Sequence, residues 1–207
     1  LEKYKEPSAL GCRVDSGVVE GDEVPIFYDP MIAKVIGHGS NRQAAIDILA
    51  KSLDHFCVRG LASNLTFLSA ILKHDEFCSG NISTSFISRV YPNGFQNRPL
   101  KELEKKVFCS AAVSMEVMEL ARRSKISGRT DGGRYTPPVK WVVTIGSDEV
   151  PLEATSVEGG VEITGSAGVA DSILTDWSPG QEVFSGKSSE GEMVLQVERT
   201  RGGYRLW

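Results

Sequence analysis

Between Ala45 and Phe56 apolar residues return at helical steps, as Ala45, Ile48, Leu49, Leu53 and Phe56, while Asp47, Lys51 and Asp54 fall between them. That spacing predicts an amphipathic helix with its charged side in water. Ser40 offers a capping oxygen and Gln43, three residues on, completes a capping box, which marks the helix start. Upstream the pattern differs. Residues 12–39, CRVDSGVVEGDEVPIFYDPMIAKVIGHG, mix β-branched and aromatic positions with turn signals at Ser16-Gly17 and Glu20-Gly21-Asp22, which predicts short antiparallel strands. The run Ile32 to Ile36 is apolar at most positions, as a strand covered on both faces would be. A second helix is expected through Leu65, Leu68, Ile71 and Leu72. A short third one is expected after Ser83-Thr84-Ser85, which reads as a helix-start cap, and Pro92 with the Asn93-Gly94 turn stops it.

A boundary is expected near residue 96, so the chain reads as two parts, 1–95 and 96–207. Pro99 suits the first turn of a helix, where its missing N–H costs nothing. Helix 99–126 should then run with Leu103, Val107, Ala111, Ser114, Met118 and Ala121 along one stripe, and Arg122, Arg123 and Lys125 suit its C-terminal dipole. Residues 127–138, SGRTDGGRYTPP, form a Gly- and Pro-rich loop. Past it the grammar changes: VKWVVTI, VPLEATS, VEITG, DSILTDW, EVFSG, MVLQVERT and YRLW are short strands between Gly, Ser, Pro, Asp or Glu turns. Such regular strands predict a meander that closes into a barrel or a sandwich over 139–207. The fold class is therefore α+β, with a long helix beside a small antiparallel β unit, barrel or sandwich.

Composition narrows the chemistry. With 41% hydrophobic and 24% charged residues over 207 positions, the chain has the make-up of a globular protein, and neither disorder nor a membrane is needed to explain it. The net charge of -4 and a pI near 5.5 argue against nucleic acid as a partner, because phosphate affinity needs clustered Lys and Arg. Cys12, Cys57, Cys78 and Cys109 lack CxxC spacing and read as free buried thiols in a reducing compartment. His38, His55 and His74 lie far apart, at surfaces or helix ends. No targeting segment is visible, and the start, LEKYKEPSALG, reads as internal to a longer chain.

Gly37-His38-Gly39 invites the idea of a phosphate site, but it is too short for a dinucleotide fingerprint and lacks the Lys-Ser/Thr of a P-loop. It reads as a strand-to-helix turn using glycine's freedom at positive φ. Asp15, Glu20, Asp22, Glu23 and Asp29 are close in sequence without calcium-loop spacing, and most sit at turns. Asp29, between an aromatic residue and a proline, could face a cleft. Neither GxSxG nor HExxH occurs. The residues alone thus show no catalytic centre and no metal site.

One long stretch nevertheless carries a specific likeness. Arg-Val-Asp-Ser-Gly (13–17), Tyr-Asp-Pro-Met-Ile-Ala-Lys (28–34), Asn-Arg-x-x-Ala (41–45) and Arg-Gly-x-x-x-Asn (59–64) resemble, in order, the C-terminal subdomain of biotin carboxylases, ATP-grasp enzymes that carboxylate biotin. GNISTSFISRVYPNGF is similar to the biotin-bearing α subunits of the propionyl-CoA type of acyl-CoA carboxylase. In that family a linking domain follows, a long helix and an antiparallel β-barrel around it, which docks onto a carboxyltransferase β subunit. The resemblance therefore implies a carboxylase subdomain over 1–95 and a linking domain over 96–207.

It also implies partners and site residues. The partners would be the β subunit, the remainder of the α subunit and its biotinyl carrier domain. Biotin, ATP and Mg would be the cofactors of the whole enzyme, because the family's Gly-rich loop, metal-binding glutamates and biotinyl lysine have no counterpart in these residues. Asp29 would border the biotin end of the active site, Thr84 the nucleotide, and Arg13 a carboxylase dimer contact. Arg129, Arg134 and Tyr135 in the 127–138 loop would hook the β subunit, since Arg and Tyr are favoured interface anchors. The family places such subunits in the mitochondrial matrix, or in the cytoplasm of a bacterium. Two alternatives stand beside this: a non-catalytic assembly scaffold derived from such a subunit, and a methylcrotonyl-CoA or other acyl-CoA carboxylase.

Overall fold

Short strands and short helices make up residues 1–99, and one long helix with seven strands makes up most of the rest. The computed structural model describes all residues except 25, 26, 28, 127–137 and 166–169, together with the side chain of residue 170. Two compact units result, Leu1–Pro99 and Leu100–Trp207.

The first unit contains β1 (Lys3–Lys5), β2 (Cys12–Ser16), β3 (Ala33–Gly37), α1 (Arg42–His55), β4 (Cys57–Arg59), α2 (Leu65–Leu72), α3 (Asp75–Ser79) and α4 (Phe86–Val90). β2 and β3 form an antiparallel ribbon with Val14 opposite Val35, and β1 pairs with β4. The core is Ile46, Leu53 and Leu72, with Val35, Leu49 and Leu68 against them. The antiparallel strands, the amphipathic helix and the stop at Asn93-Gly94 match expectation, the last through a bond from Gly94 N to Tyr91 O of 3.0 Å. The expectation of β3 covered on both faces fails. None of its residues is fully buried and Lys34 is exposed, because β3 belongs to a two-stranded ribbon that packs on α1.

Three local expectations are also corrected. The cap of α1 is Asn41 and not Ser40: Asn41 Oδ1 accepts from Ala44 N at 2.9 Å. Gln43 instead donates to Asp47, 2.8 Å away along the helix. Asp54 is half-buried and not solvated like Asp47. Ser85 stands at the N-cap position of α4 but makes no side-chain cap bond; its hydroxyl lies 2.9 Å from that of Ser83.

Gly37 and Gly39 join β3 to α1, yet neither has a positive φ. Their reason is close approach. A Cβ on Gly37 would stand 2.6 Å from Ala45 O and 2.9 Å from Leu49 Cβ, and one on Gly39 2.6 Å from Ala45 N. The turn lets the ribbon lie directly on the first turns of α1, and His38 N donates back to Gly11 O at 2.7 Å.

The second unit opens with α5 (Glu102–Ser124). Glu104 Oε2 accepts from Lys101 N at 2.8 Å, so the helix starts past Pro99, which is not in its first turn. The expected single stripe is corrected too. Leu103 is 52% exposed, whereas Cys109, Ser110, Ala111, Val113, Ser114, Met115, Val117 and Glu119 are buried, which puts every side of the middle turns out of water. A helix buried all round must be enclosed, and its small Ala, Ser and Cys side chains let neighbours approach.

The enclosing sheet is a seven-stranded antiparallel meander: β5 (Lys140–Ile145), β6 (Asp148–Val157), β7 (Gly160–Gly165), β8 (Ala170–Leu174), β9 (Val183–Ser188), β10 (Gly191–Thr200) and β11 (Gly203–Leu206). It curves as a half-barrel whose edge strands β5 and β11 both touch α5. Strand residues alternate inward and outward, and Val161, Ile163, Ile173, Phe184 and Leu195 meet Met115 and Val117 of α5 in one core. The expected strand through Trp177 ends at Leu174. There Thr175 Oγ1 donates to Ser185 O at 2.6 Å and accepts from Trp177 N at 3.1 Å.

Candidate functional site

The two residues that sequence likeness placed beside ligands, Asp29 and Thr84, come together in the first unit. Both line one cavity of about 890 Å³ whose floor is Leu49, Leu53, Leu68 and Leu72. Asp29 is exposed, and its Oδ1 accepts from Met31 N at 3.1 Å, a local turn bond of the Asx kind. Thr84 is exposed one residue before the N-cap of α4. Met31, Ile82 and Ile87 are each about half exposed at the rim.

The lining decides what the cavity can do. Among the described lining residues there is no Lys and no Arg, and Asp29 is the one carboxylate. An apolar hollow with polar atoms at its rim can seat a planar or aliphatic group and orient it, but it offers nothing to neutralise a polyphosphate. Among the described residues no three His, Cys, Asp or Glu side chains gather as a metal site, and no helix is long and apolar enough to cross a membrane.

The remaining expected site residues are elsewhere. Arg13 is exposed on β2, outside the cavity, and pairs with Asp15 at 3.1 Å. Arg129, Arg134 and Tyr135 lie outside the described residues. All four cysteines are free, but only Cys57 and Cys109 are fully buried, so the expectation of four buried thiols is half met. Burial pushes the Cys109 thiol up, the direction of an inert structural thiol. His55 and His74 do sit at helix ends, His55 bonded to Lys51 O at 2.8 Å and His74 Nδ1 accepting from Glu76 N at 3.3 Å.

Sequence reasoning missed the groups that frame the Thr84 segment. Arg42 Nε donates to Phe77 O at 3.1 Å, and the guanidinium lies 5.0 Å from the Phe77 ring centre. Arg89 grips both carboxylate oxygens of Glu76, with Nη1 2.9 Å from Oε1. It also missed a network in the second unit. Tyr204 donates to Glu116 Oε2 at 3.0 Å, and Arg199 stands 3.6 Å from the same oxygen. Burial first, then the Glu116 charge, push the Tyr204 phenol well above its usual range. These partners are 13 and 88 residues apart, beyond any periodic signal.

Residues 1–89 match the family described as biotin carboxylase C-terminal domain, and residues 108–207 that described as propionyl-coenzyme A carboxylase BT domain. This chain is a biotin carboxylase C-terminal domain joined to a BT domain. The resemblance read from residues 13–64 is thereby borne out. Among named relatives, the propionyl-CoA carboxylase alpha chain of Ruegeria pomeroyi is 35% identical over 194 residues, 94% of this chain and 28% of the relative. The mitochondrial propionyl-CoA carboxylase alpha chain of Homo sapiens is 42% identical over 118 residues, 56% of this chain and 16% of the relative. The chain thus spans under a third of the length of these relatives. A solved structure of the complete multifunctional pyruvate carboxylase of Rhizobium etli aligns at 34% identity and a TM-score of 0.45, covering 54% of this chain and 11% of that one.

The two matches map onto the two units. The biotin carboxylase C-terminal domain match ends at Arg89, inside α4, and contains the cavity. The BT domain match begins at Phe108, inside α5, and runs to the end of the half-barrel.

Proposed function

We propose that this chain is the part of a propionyl-CoA-type acyl-CoA carboxylase α subunit that completes the carboxylase core and docks the α subunit onto a carboxyltransferase β subunit. What supports the reading is the order of the two domains in one chain, the first carrying a ligand-sized cavity and the second an enclosed helix in a half-barrel. Residues 1–95 would act as the carboxylase subdomain and 96–207 as the linking domain. The whole subunit would use ATP, Mg, bicarbonate and biotin to carboxylate propionyl-CoA to methylmalonyl-CoA.

This chain's own residues fit only part of that ligand set. The cavity suits an apolar or planar group beside Thr84, and Asp29, on the same cavity, can accept a hydrogen bond. The triphosphate and the metal find no partners among the described lining residues, so their grip belongs to other parts of the subunit. Biotin, when attached, would carry the carboxyl group between two separate sites, and the BT domain would act by holding those sites within reach of each other, which is a question of proximity. Arg129, Arg134 and Tyr135 would meet the β subunit, and Arg13 the second carboxylase copy. The compartment would be the mitochondrial matrix in a eukaryote and the cytoplasm in a bacterium.

The test is ATP-dependent fixation of labelled bicarbonate by the native assembly that contains this chain. Fixation into propionyl-CoA at a kcat/KM at least tenfold above that for 3-methylcrotonyl-CoA supports the reading. A preference for 3-methylcrotonyl-CoA replaces the acyl group, and no fixation with either favours the scaffold.

A further inference from the structure

α3 and α4 are five residues each, too short to hold their own shape. Between them residues 81–85 are exposed at every position, Thr84 among them. Something must fix that segment if Thr84 is to present its side chain at one place on the cavity rim. At the N-terminal side, α3 ends at Gly80 in the left-handed region, φ 81°, with Arg42 bonded to the carbonyls of Phe77 and Cys78. At the C-terminal side, Phe86 is buried with its ring edge-on to His74, centroids 5.2 Å apart and planes at 82°. Beside that ring contact, the two-point fork of Arg89 on Glu76 also spans the base of the loop.

We propose that Glu76 and Arg89 are positioning residues for the Thr84 segment, fixing where the rim of the cavity meets a bound nucleotide. The inference rests on the reading of Thr84 as nucleotide-facing. It differs from a plain stabilising role in a way that can be measured. The pair is on the surface, with Glu76 31% and Arg89 52% exposed, and such pairs contribute little to global stability. A bidentate guanidinium–carboxylate fork, however, fixes direction as well as distance. Hydrogen bonding from Arg89 holds the Glu76 carboxyl below the usual carboxylate range, so the fork is intact at neutral pH.

The experiment uses the full-length biotinylated subunit containing this chain, assayed for ATP-dependent biotin carboxylation. Glu76→Gln and Arg89→Gln are each expected to raise the KM for ATP about tenfold, within the range that small misplacements cost. kcat and the unfolding temperature should stay near the parent's, and the exchanged pair Glu76→Arg with Arg89→Glu should recover most of the KM. Thr84→Trp, measured alongside, tests the underlying reading. An unchanged KM in Thr84→Trp removes Thr84 from the nucleotide and overturns the proposal with it. A raised KM in Thr84→Trp with an unchanged KM in both single variants overturns the clamp alone. Equal loss of kcat and thermal stability without recovery in the exchanged pair marks a purely structural contact and overturns it as well.

Discussion

Gly37→Ala puts the strand-to-helix turn to a quantitative test. The residue's φ is not in the left-handed region, so in open space alanine there would stabilise by about 0.4–1 kcal/mol through the unfolded state. The structure does not leave open space. The new methyl would lie 2.6 Å from Ala45 O, against the 3.4 Å at which ordinary contact begins, and 2.9 Å from Leu49 Cβ. Both atoms belong to α1, and a helix carbonyl cannot swing aside, so β3 and α1 must part and loosen Val35 from the core of Ile46, Leu53 and Leu72. Overpacking of this kind costs about 1–3 kcal/mol; with the methyl 2.6 Å from a fixed carbonyl the cost lies in the upper part of that range, about 2–3 kcal/mol, and less the gain of about 0.4–1 kcal/mol the net loss is about 1–2 kcal/mol. At 1.4 kcal/mol per factor of ten, amides of the β2–β3 ladder, Val14 and Val35 among them, should exchange about 5- to 30-fold faster. Gly17→Ala is the control in the same hairpin, where the nearest atom is Ile32 O at 3.6 Å. Exchange in Gly37→Ala no faster than in Gly17→Ala would refute the close-approach reasoning.

Other expectations are read from single residues. Ser114 is fully buried and its hydroxyl has no partner among the described residues; Ser114→Ala should raise stability by about 1 kcal/mol, since it removes that buried polar group and improves helix propensity. Tyr204→Phe should cost about 1.5–3 kcal/mol, the worth of a hydrogen bond to a charged group, read as a lower urea midpoint. The raised Tyr204 phenol has a matching sign: its stabilisation is present below the ordinary pKa of 10.0 and is lost as pH rises through the higher folded value, so ultraviolet titration should show a late tyrosine ionisation that Tyr204→Phe removes. Burial, opposed by Lys73 and His55, raises the Asp54 carboxyl. Stability from this group is therefore greatest below pH 3.8 and falls as pH rises through the folded value, and Asp54→Asn should raise the melting temperature at pH 7 and not at pH 3.

The elements were legible where one side of a segment meets water. The steps of three and four from Ala45 to Leu53 and the alternation in β5 to β11 record a single buried face, and turn residues punctuate the strands. The residue pattern of α5 was legible as a helix but not as an enclosed one, because Ala, Ser and Cys look the same on an open face and in a crowded interior; only the family likeness implied a barrel around it. Ser40 and Asn41 have the same capping chemistry, and only the actual helix start, at Arg42, separates them. Gly37 and Gly39 announced a turn but not its cause, since what a Cβ would strike lies on another element. Asp29 and Thr84 were found through family likeness; their sharing of one cavity is a tertiary fact. Glu76 with Arg89, and Glu116 with Tyr204, leave no trace in local pattern.

The central claim is that these two units belong to a biotin-carrying carboxylase subunit, and intact mass with a streptavidin blot on the native polypeptide tests it most directly. The expected result is a polypeptide far heavier than 22.5 kDa, carrying biotin and co-purifying with a second, unbiotinylated subunit. A biotin-free polypeptide of 22.5 kDa would contradict it and leave the assembly scaffold as the function of this chain.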